Sequence, residues 1–100
     1  MAKAKYFVTP SAQADINEIV AYIRERSPQS AKAVRVKLYQ EIARLAEFPN
    51  LGHTRDDIDF PGVRFWSVYA YLIVYRPDPT PIMVIRVLHG ARDLPRILGS

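Results

Sequence analysis

Apolar residues recur along the chain at every second position, then at every third or fourth, then at every second again. Residues 3 to 8 alternate, with Ala4, Tyr6 and Val8 on one face and Lys3, Lys5 and Phe7 on the other, the pattern of a half-buried strand. Its two lysines discourage pairing at an open edge. Thr9 and Pro10 then signal a helix start, because the hydroxyl can cap free amides and proline at the first helical position gives up no needed donor. Ala12, Ile16, Ile19, Val20 and Ile23 form a stripe down that helix, with Asp15, Glu18 and Glu25 off it. Ser27 and Pro28 repeat the device. Proline bars its predecessor from helical geometry, so the first helix ends there and a second begins. The second carries its stripe on Ala31, Val34, Leu38, Ile42 and Leu45, and the short connection predicts an antiparallel helical hairpin.

Pro49, Asn50 and Gly52 end the second helix and open a loop, FPNLGHTRDDIDFPG, long for a segment without structure of its own and therefore a candidate for a functional or mobile role. Aromatic and β-branched residues then predict strands over 63–67 and 71–76, joined by a weakly signalled turn. Pro77, Pro79 and Pro81 mark the next reversal, since prolines cannot donate to a ladder. A last strand runs from Ile82 to about His89, and Asp93 is placed to cap one further turn through Leu98. The order strand, two helices, three strands predicts an α+β fold: one domain over residues 1–100, with the hairpin packed on a small, largely antiparallel four-stranded sheet.

That sheet carries too little polar surface. Strict alternation puts Tyr71, Ile73 and Tyr75 on one side and Leu72 and Val74 on the other. In the last strand it sets Met83, Ile85 and Val87 opposite Ile82, Val84 and Leu88. Helices cover one face of an antiparallel sheet, and the other is ordinarily polar. Here the long loop and the tail must cover the second face, or a partner protein must.

Composition narrows the chemistry. With no cysteine among the 100 residues there are no disulfides, thiolate nucleophiles or sulfur metal sites. The opening MAKAKYFVTP has no apolar leader, and no run approaches the roughly 18 residues of a membrane span, so the chain reads as soluble and unprocessed. The net charge of +4 suits nucleic acid or an acidic protein. The last lysine is Lys37, and every later base is arginine, the side chain suited to bidentate contacts. His53 and His89 share no metal-ligand spacing, the acidic loop lacks a calcium-binding pattern, and no phosphate-cradling glycine loop or nucleophile elbow occurs.

Four stretches together resemble the RelE/ParE superfamily of toxins from bacterial type II toxin–antitoxin modules: ADINEIVAYI, RLAEFPNLGHTR, VR with YLIVYR, and IRVLHGARDL. The resemblance covers nearly the whole chain, and YLIVYR and VLHGARDL are more similar to the ParE branch. It implies a cytoplasmic toxin, needing no cofactor or metal, that a cognate antitoxin wraps and silences in a hetero-oligomer. ParE-like members poison DNA gyrase and have no known hydrolytic site; RelE-like members cut messenger RNA in the ribosome. On the first reading, target contacts are expected from Arg64, Arg76, Arg86, His89 and Arg92, and antitoxin contacts from Tyr71, Leu72, Val74, Val84 and Leu88. On the alternative, a ribosome-dependent mRNA endoribonuclease, Arg64, Arg86 and His89 would carry the reaction.

His89 separates the two. Metal-free RNA cleavage needs a base, an acid and cations; an imidazole of ordinary pKa about 6.5 could move a proton while the arginines hold phosphate. RelE-like nucleases use a tyrosine, alone or with histidine, near the carboxyl end, yet no tyrosine follows Tyr75. Losing a general acid or base costs about 10² to 10⁴ in rate. Strand parity also sets residues 86 and 89 on opposite faces unless the chain bends, with Gly90 the expected bend. The competing roles for His89 are a hydrogen-bonded strand end and a partner contact.

Overall fold

The computed structural model describes residues 4–58 and 60–93. Its elements are β1 (Tyr6–Val8), α1 (Pro10–Arg24), α2 (Pro28–Glu47), β2 (Arg64–Val68), β3 (Tyr71–Arg76) and β4 (Ile82–His89). The fold is thus the expected β-α-α-β-β-β arrangement, with sheet order β1-β4-β3-β2. β2–β3 and β3–β4 are antiparallel, and β1 joins β4 in parallel, which makes the sheet mixed. Both helices start as the sequence dictates: Thr9 accepts from the Ala12 amide, Ser27 accepts from the Ser30 amide, and a proline follows each. The apolar stripes of α1 and α2 bury Ile16, Leu38, Ile42 and Leu45 against Ile73, Tyr75, Ile82 and Val84.

Strand alternation fails in β4. Tyr75 pairs with Val84 and Val74 with Arg86, leaving Ile85 as an extra residue. This bulge resets the parity, so Val87 joins Ile82 and Val84 beneath the helices while Leu88 joins Ile85 on the opposite side. The bulge precedes both Arg86 and His89, which pair regularly with Val74 and Tyr71, so alternation still sets those two on opposite sides of the strand. Val84, expected on the same face as Leu88, lies in the helix-facing core.

The second face of the sheet is covered from within the chain. Ile58 of the long loop and Val63 at its end pack with Phe65, Leu72, Val74 and Leu88 into a second buried cluster. Two anchors hold that loop. The fully buried Tyr75 hydroxyl donates to the Pro49 carbonyl at 2.7 Å and accepts from the Gly52 amide at 2.9 Å. His53 exchanges both backbone hydrogen bonds with Phe65, each 2.8 Å, on the outer edge of β2. Gly52 has no alternative here: a Cβ would stand 2.5 Å from the Tyr75 oxygen.

The weakly signalled turn between β2 and β3 is a two-residue loop, Tyr69–Ala70, closing the Val68–Tyr71 pair. Tyr69 has φ +55°, a left-handed value that such turns demand and that glycine or asparagine normally supplies. A tyrosine there conceals the turn from sequence inspection.

Candidate functional site

β1 stops at Val8, opposite Val84, so the upper part of β4 lies beside α1 instead of another strand. Side chains of the helix start satisfy the exposed edge. Thr9 Oγ1 donates to the Ile85 carbonyl at 3.1 Å. Asp15 Oδ2 accepts from the Val87 amide at 2.9 Å and from Arg86 Nε at 2.7 Å, while Oδ1 accepts from Arg86 Nη2 at 3.1 Å. This fork-on-carboxylate hydrogen bonding pushes the Arg86 pKa above its already high ordinary value. Asp15, which the sequence marks only as lying off the apolar stripe, fastens α1 to β4 and occupies one of the predicted contact arginines.

One turn further, His89 ends β4 opposite Tyr71. Their rings meet edge to face, with centroids 5.6 Å apart. Glu18, Ile19 and Tyr22 of α1 face them across a cavity of about 390 Å³ that Arg92 also lines. The phenol that the sequence appeared to lack is therefore present: antiparallel pairing brings Tyr71 beside the imidazole, although it precedes it by eighteen positions. Glu18 and Tyr22 reach the same cavity because residues four apart share a helix face. That spacing was the one signal in the sequence that could have joined them.

Two of the polar residues of this cavity, His89 and Arg92, are committed to local hydrogen bonds. His89 caps the helical turn over residues 90–93: its Nδ1 accepts from the Arg92 amide at 3.1 Å, and Asp93 Oδ2 accepts from the His89 amide at 2.7 Å. This reciprocal arrangement resembles a capping box, with His89 rather than Asp93 at the cap position; residues 94 to 98 of the expected turn lie outside the described residues. With Nδ1 accepting, a neutral ring carries its proton on Nε2. Arg92 Nε donates to Asp93 Oδ1 at 2.9 Å. Burial pushes the Tyr71 phenol above its ordinary value, against the opposing pull of Arg92. Tyr71 is thus held protonated, able to donate but not to act as a base near neutrality.

Arg64 and Arg76 lie at the other end of the sheet. Tyr71 and Arg76 are five residues apart on one strand, roughly 17 Å. The five expected target contacts therefore form two groups: His89 and Arg92 at the cavity, with Arg86 beside α1 in the same half of the sheet, and Arg64 and Arg76 beside the long loop. Arg64 Nη1 donates to the Gly52 carbonyl at 2.7 Å, and Arg64 and Arg76 line a depression of about 300 Å³. Among the described residues no three histidine, aspartate or glutamate side chains gather closely enough to hold a metal ion.

Of the residues expected to meet an antitoxin, Tyr71 is half-buried at the cavity, whereas Leu72, Val74 and Leu88 are buried beneath the loop and Val84 beneath the helices. Apolar surface is open elsewhere on the sheet: Phe7 and Met83, cross-strand neighbours, are 58% and 40% exposed.

Residues 6–94 match the family described as the ParE toxin of the type II toxin-antitoxin system, parDE. The chain belongs to the ParE toxin family. Toxin ParE3 of Caulobacter vibrioides is 37% identical over 57 residues, covering 57% of this chain and 56% of that protein, so the match spans little more than half of the ParE relative. A chain from the solved chromosomal ParDE TA system of P. aeruginosa superposes with a TM-score of 0.71 at 21% identity, covering 87% of this chain and 96% of that one. That likeness is one of fold. No described helix of this ParE-family chain is long and apolar enough to cross a membrane.

Proposed function

We propose that the chain is the toxin of a type II toxin–antitoxin module, that it inhibits DNA gyrase by binding without hydrolytic chemistry, and that a cognate antitoxin neutralises it in the cytoplasm as a hetero-oligomer. Membership of the ParE family supports the toxin reading. The observation favouring binding over catalysis is the state of the cavity around His89. The imidazole Nδ1 is taken by a backbone amide, and Arg86 is paired to Asp15. Such a site presents shape and hydrogen-bond donors, and its imidazole is not a ready base.

Arg86, His89 and Arg92, with the exposed Tyr22 beside them, form the target face on this reading; Arg64 and Arg76 contribute a separate contact. For the antitoxin, Tyr71 is reachable at the cavity. Leu72, Val74 and Leu88 become reachable once the loop segment carrying Ile58 lifts, and Val84 only if α1 moves. Phe7 and Met83 offer the first apolar surface to an arriving segment.

The test is addition of purified protein to gyrase and plasmid DNA, scoring supercoiling and trapped cleavage complexes. Inhibition relieved by the product of a neighbouring reading frame is expected; unchanged supercoiling without trapped cleavage refutes the gyrase target. The Tyr71–His89 contact favours the second reading, a ribosome-dependent endoribonuclease. That reading requires transcript cleavage in a translation extract that His89→Ala or Arg86→Ala largely abolishes, and intact transcripts remove it.

A further inference from the structure

The arginines of the second half of the chain are not equivalent. Arg55 holds Asp57 at 2.7 Å, Arg86 holds Asp15 at 2.7 Å and Arg92 holds Asp93 at 2.9 Å. Among the described residues, Arg64 and Arg76 hold no carboxylate, and they are the two that share one depression. β-pairing puts them there: Arg64 opens β2 opposite Tyr75, and Arg76 follows Tyr75. Arg64 spends one nitrogen on the neutral Gly52 carbonyl, and the Arg76 guanidinium lies over the Phe60 ring, 5.8 Å from its centroid. Gly62, at φ +83°, lets that head group approach the backbone; a Cβ there would meet Arg76 Nη1 at 3.0 Å.

Among the described residues, Arg64 and Arg76 thus line one depression with no carboxylate of their own, whereas Arg55, Arg86 and Arg92 each hold one. We propose that Arg64 and Arg76 form a binding site for a phosphate group, with the Thr54 hydroxyl as a further donor at the side. Planar guanidinium forks match phosphate oxygens two at a time. The depression of about 300 Å³ accommodates a phosphate together with part of what it is attached to. Asp78, on the same rim, opposes the anion and weakens the site without cancelling two positive charges. The source is a nucleic-acid backbone or a free phosphate compound. The site stands independently of the gyrase reading, because its occupancy is measured without gyrase.

The test uses the whole chain. Inorganic phosphate and pyrophosphate are titrated while arginine Nε–H and Thr54 amide resonances are followed, and a labelled DNA duplex is titrated by fluorescence anisotropy over a range of salt. Perturbation at Arg64, Arg76 and Thr54 is expected. Arg76→Gln should weaken binding roughly ten-fold and lower the DNA salt slope by about one. Asp78→Asn should tighten binding, and Arg55→Gln, on an arginine with its own carboxylate, should leave it unchanged. Dependence on Arg76 for DNA assigns a backbone phosphate; dependence for phosphate and pyrophosphate alone assigns a free one. Binding of neither probe, or equal losses in Arg76→Gln and Arg55→Gln, overturns the proposal. Arg76 is exposed, and if Arg76→Gln nevertheless fails to fold, the opposite sign expected of Asp78→Asn decides the matter.

Discussion

Replacing Tyr75 by phenylalanine removes one oxygen from the centre of the molecule and leaves its shape almost unchanged. The hydroxyl is the partner of both the Pro49 carbonyl, at 2.7 Å, and the buried Gly52 amide, at 2.9 Å, so Tyr75→Phe orphans a donor and an acceptor together. A typical hydrogen bond contributes about 1 kcal/mol net, and an unsatisfied buried group costs about 1–3 kcal/mol. With two groups affected and no cavity opened, the expected loss is about 2–3 kcal/mol, or roughly 10–20 °C in Tm for a domain of this size. Urea unfolding should show the midpoint falling with little change in slope, and hydrogen exchange should quicken first at Gly52 and the adjoining loop. Burial also pushes the Tyr75 phenol above its ordinary value, partly offset by the Gly52 amide and Arg64. A raised folded pKa stabilises fully below the unfolded value of about 10 and is lost as pH rises through the folded value, because the unfolded chain releases the proton first. The wild type should therefore lose stability above about pH 10, and Tyr75→Phe should lose less over that interval. A loss under about 0.5 kcal/mol with unaltered exchange at Gly52 would refute the idea that this hydroxyl anchors the loop.

Substitutions at four further positions extend the tests. Gly52→Ala should destabilise by at least about 1–3 kcal/mol in thermal unfolding, since its methyl group meets the Tyr75 ring and oxygen. Asp15→Asn retains an acceptor for Val87 but gives up the charged fork on the half-exposed Arg86; about 1 kcal/mol is expected, with Asp15→Ala costing more, and equal losses would show that the Val87 amide contributes nothing. Tyr69→Gly should raise stability by about 1 kcal/mol by relieving the left-handed backbone, and a lowered Tm would mean that the exposed ring packs on something. His89→Asn should preserve the cap on the Arg92 amide better than His89→Ala, seen as slower exchange of that amide.

Each element was legible where local chemistry decides it. The pairs Thr9–Pro10 and Ser27–Pro28 mark both helix starts because capping is a matter of adjacent residues, and the spacing of Ile16, Leu38 and Ile42 marks the buried stripes. The failures share a different cause. Ile85 is an ordinary strand residue until its partner strand is known, so its bulge, and with it the side on which Val87 and Leu88 fall, is invisible in sequence. The same holds for Tyr71 beside His89, which depends on the register of β3 against β4, and for Ile58, one apolar residue of the long loop that helps to cover the second face. The two groups of arginines were legible as residues but not as groups, since only strand pairing separates Arg86 and Arg92 from Arg64 and Arg76.

The parallel union of β1 with β4 has a temporal consequence. Thr9 and Ile85, bonded across that junction, are 76 positions apart in the chain, so the opening strand has no place to dock until the final one exists. During synthesis at about 5–20 residues per second the nascent polypeptide spends several seconds with its helices made and its sheet unfinished. Whatever face the finished sheet presents is therefore acquired late, after both helices have left the ribosome.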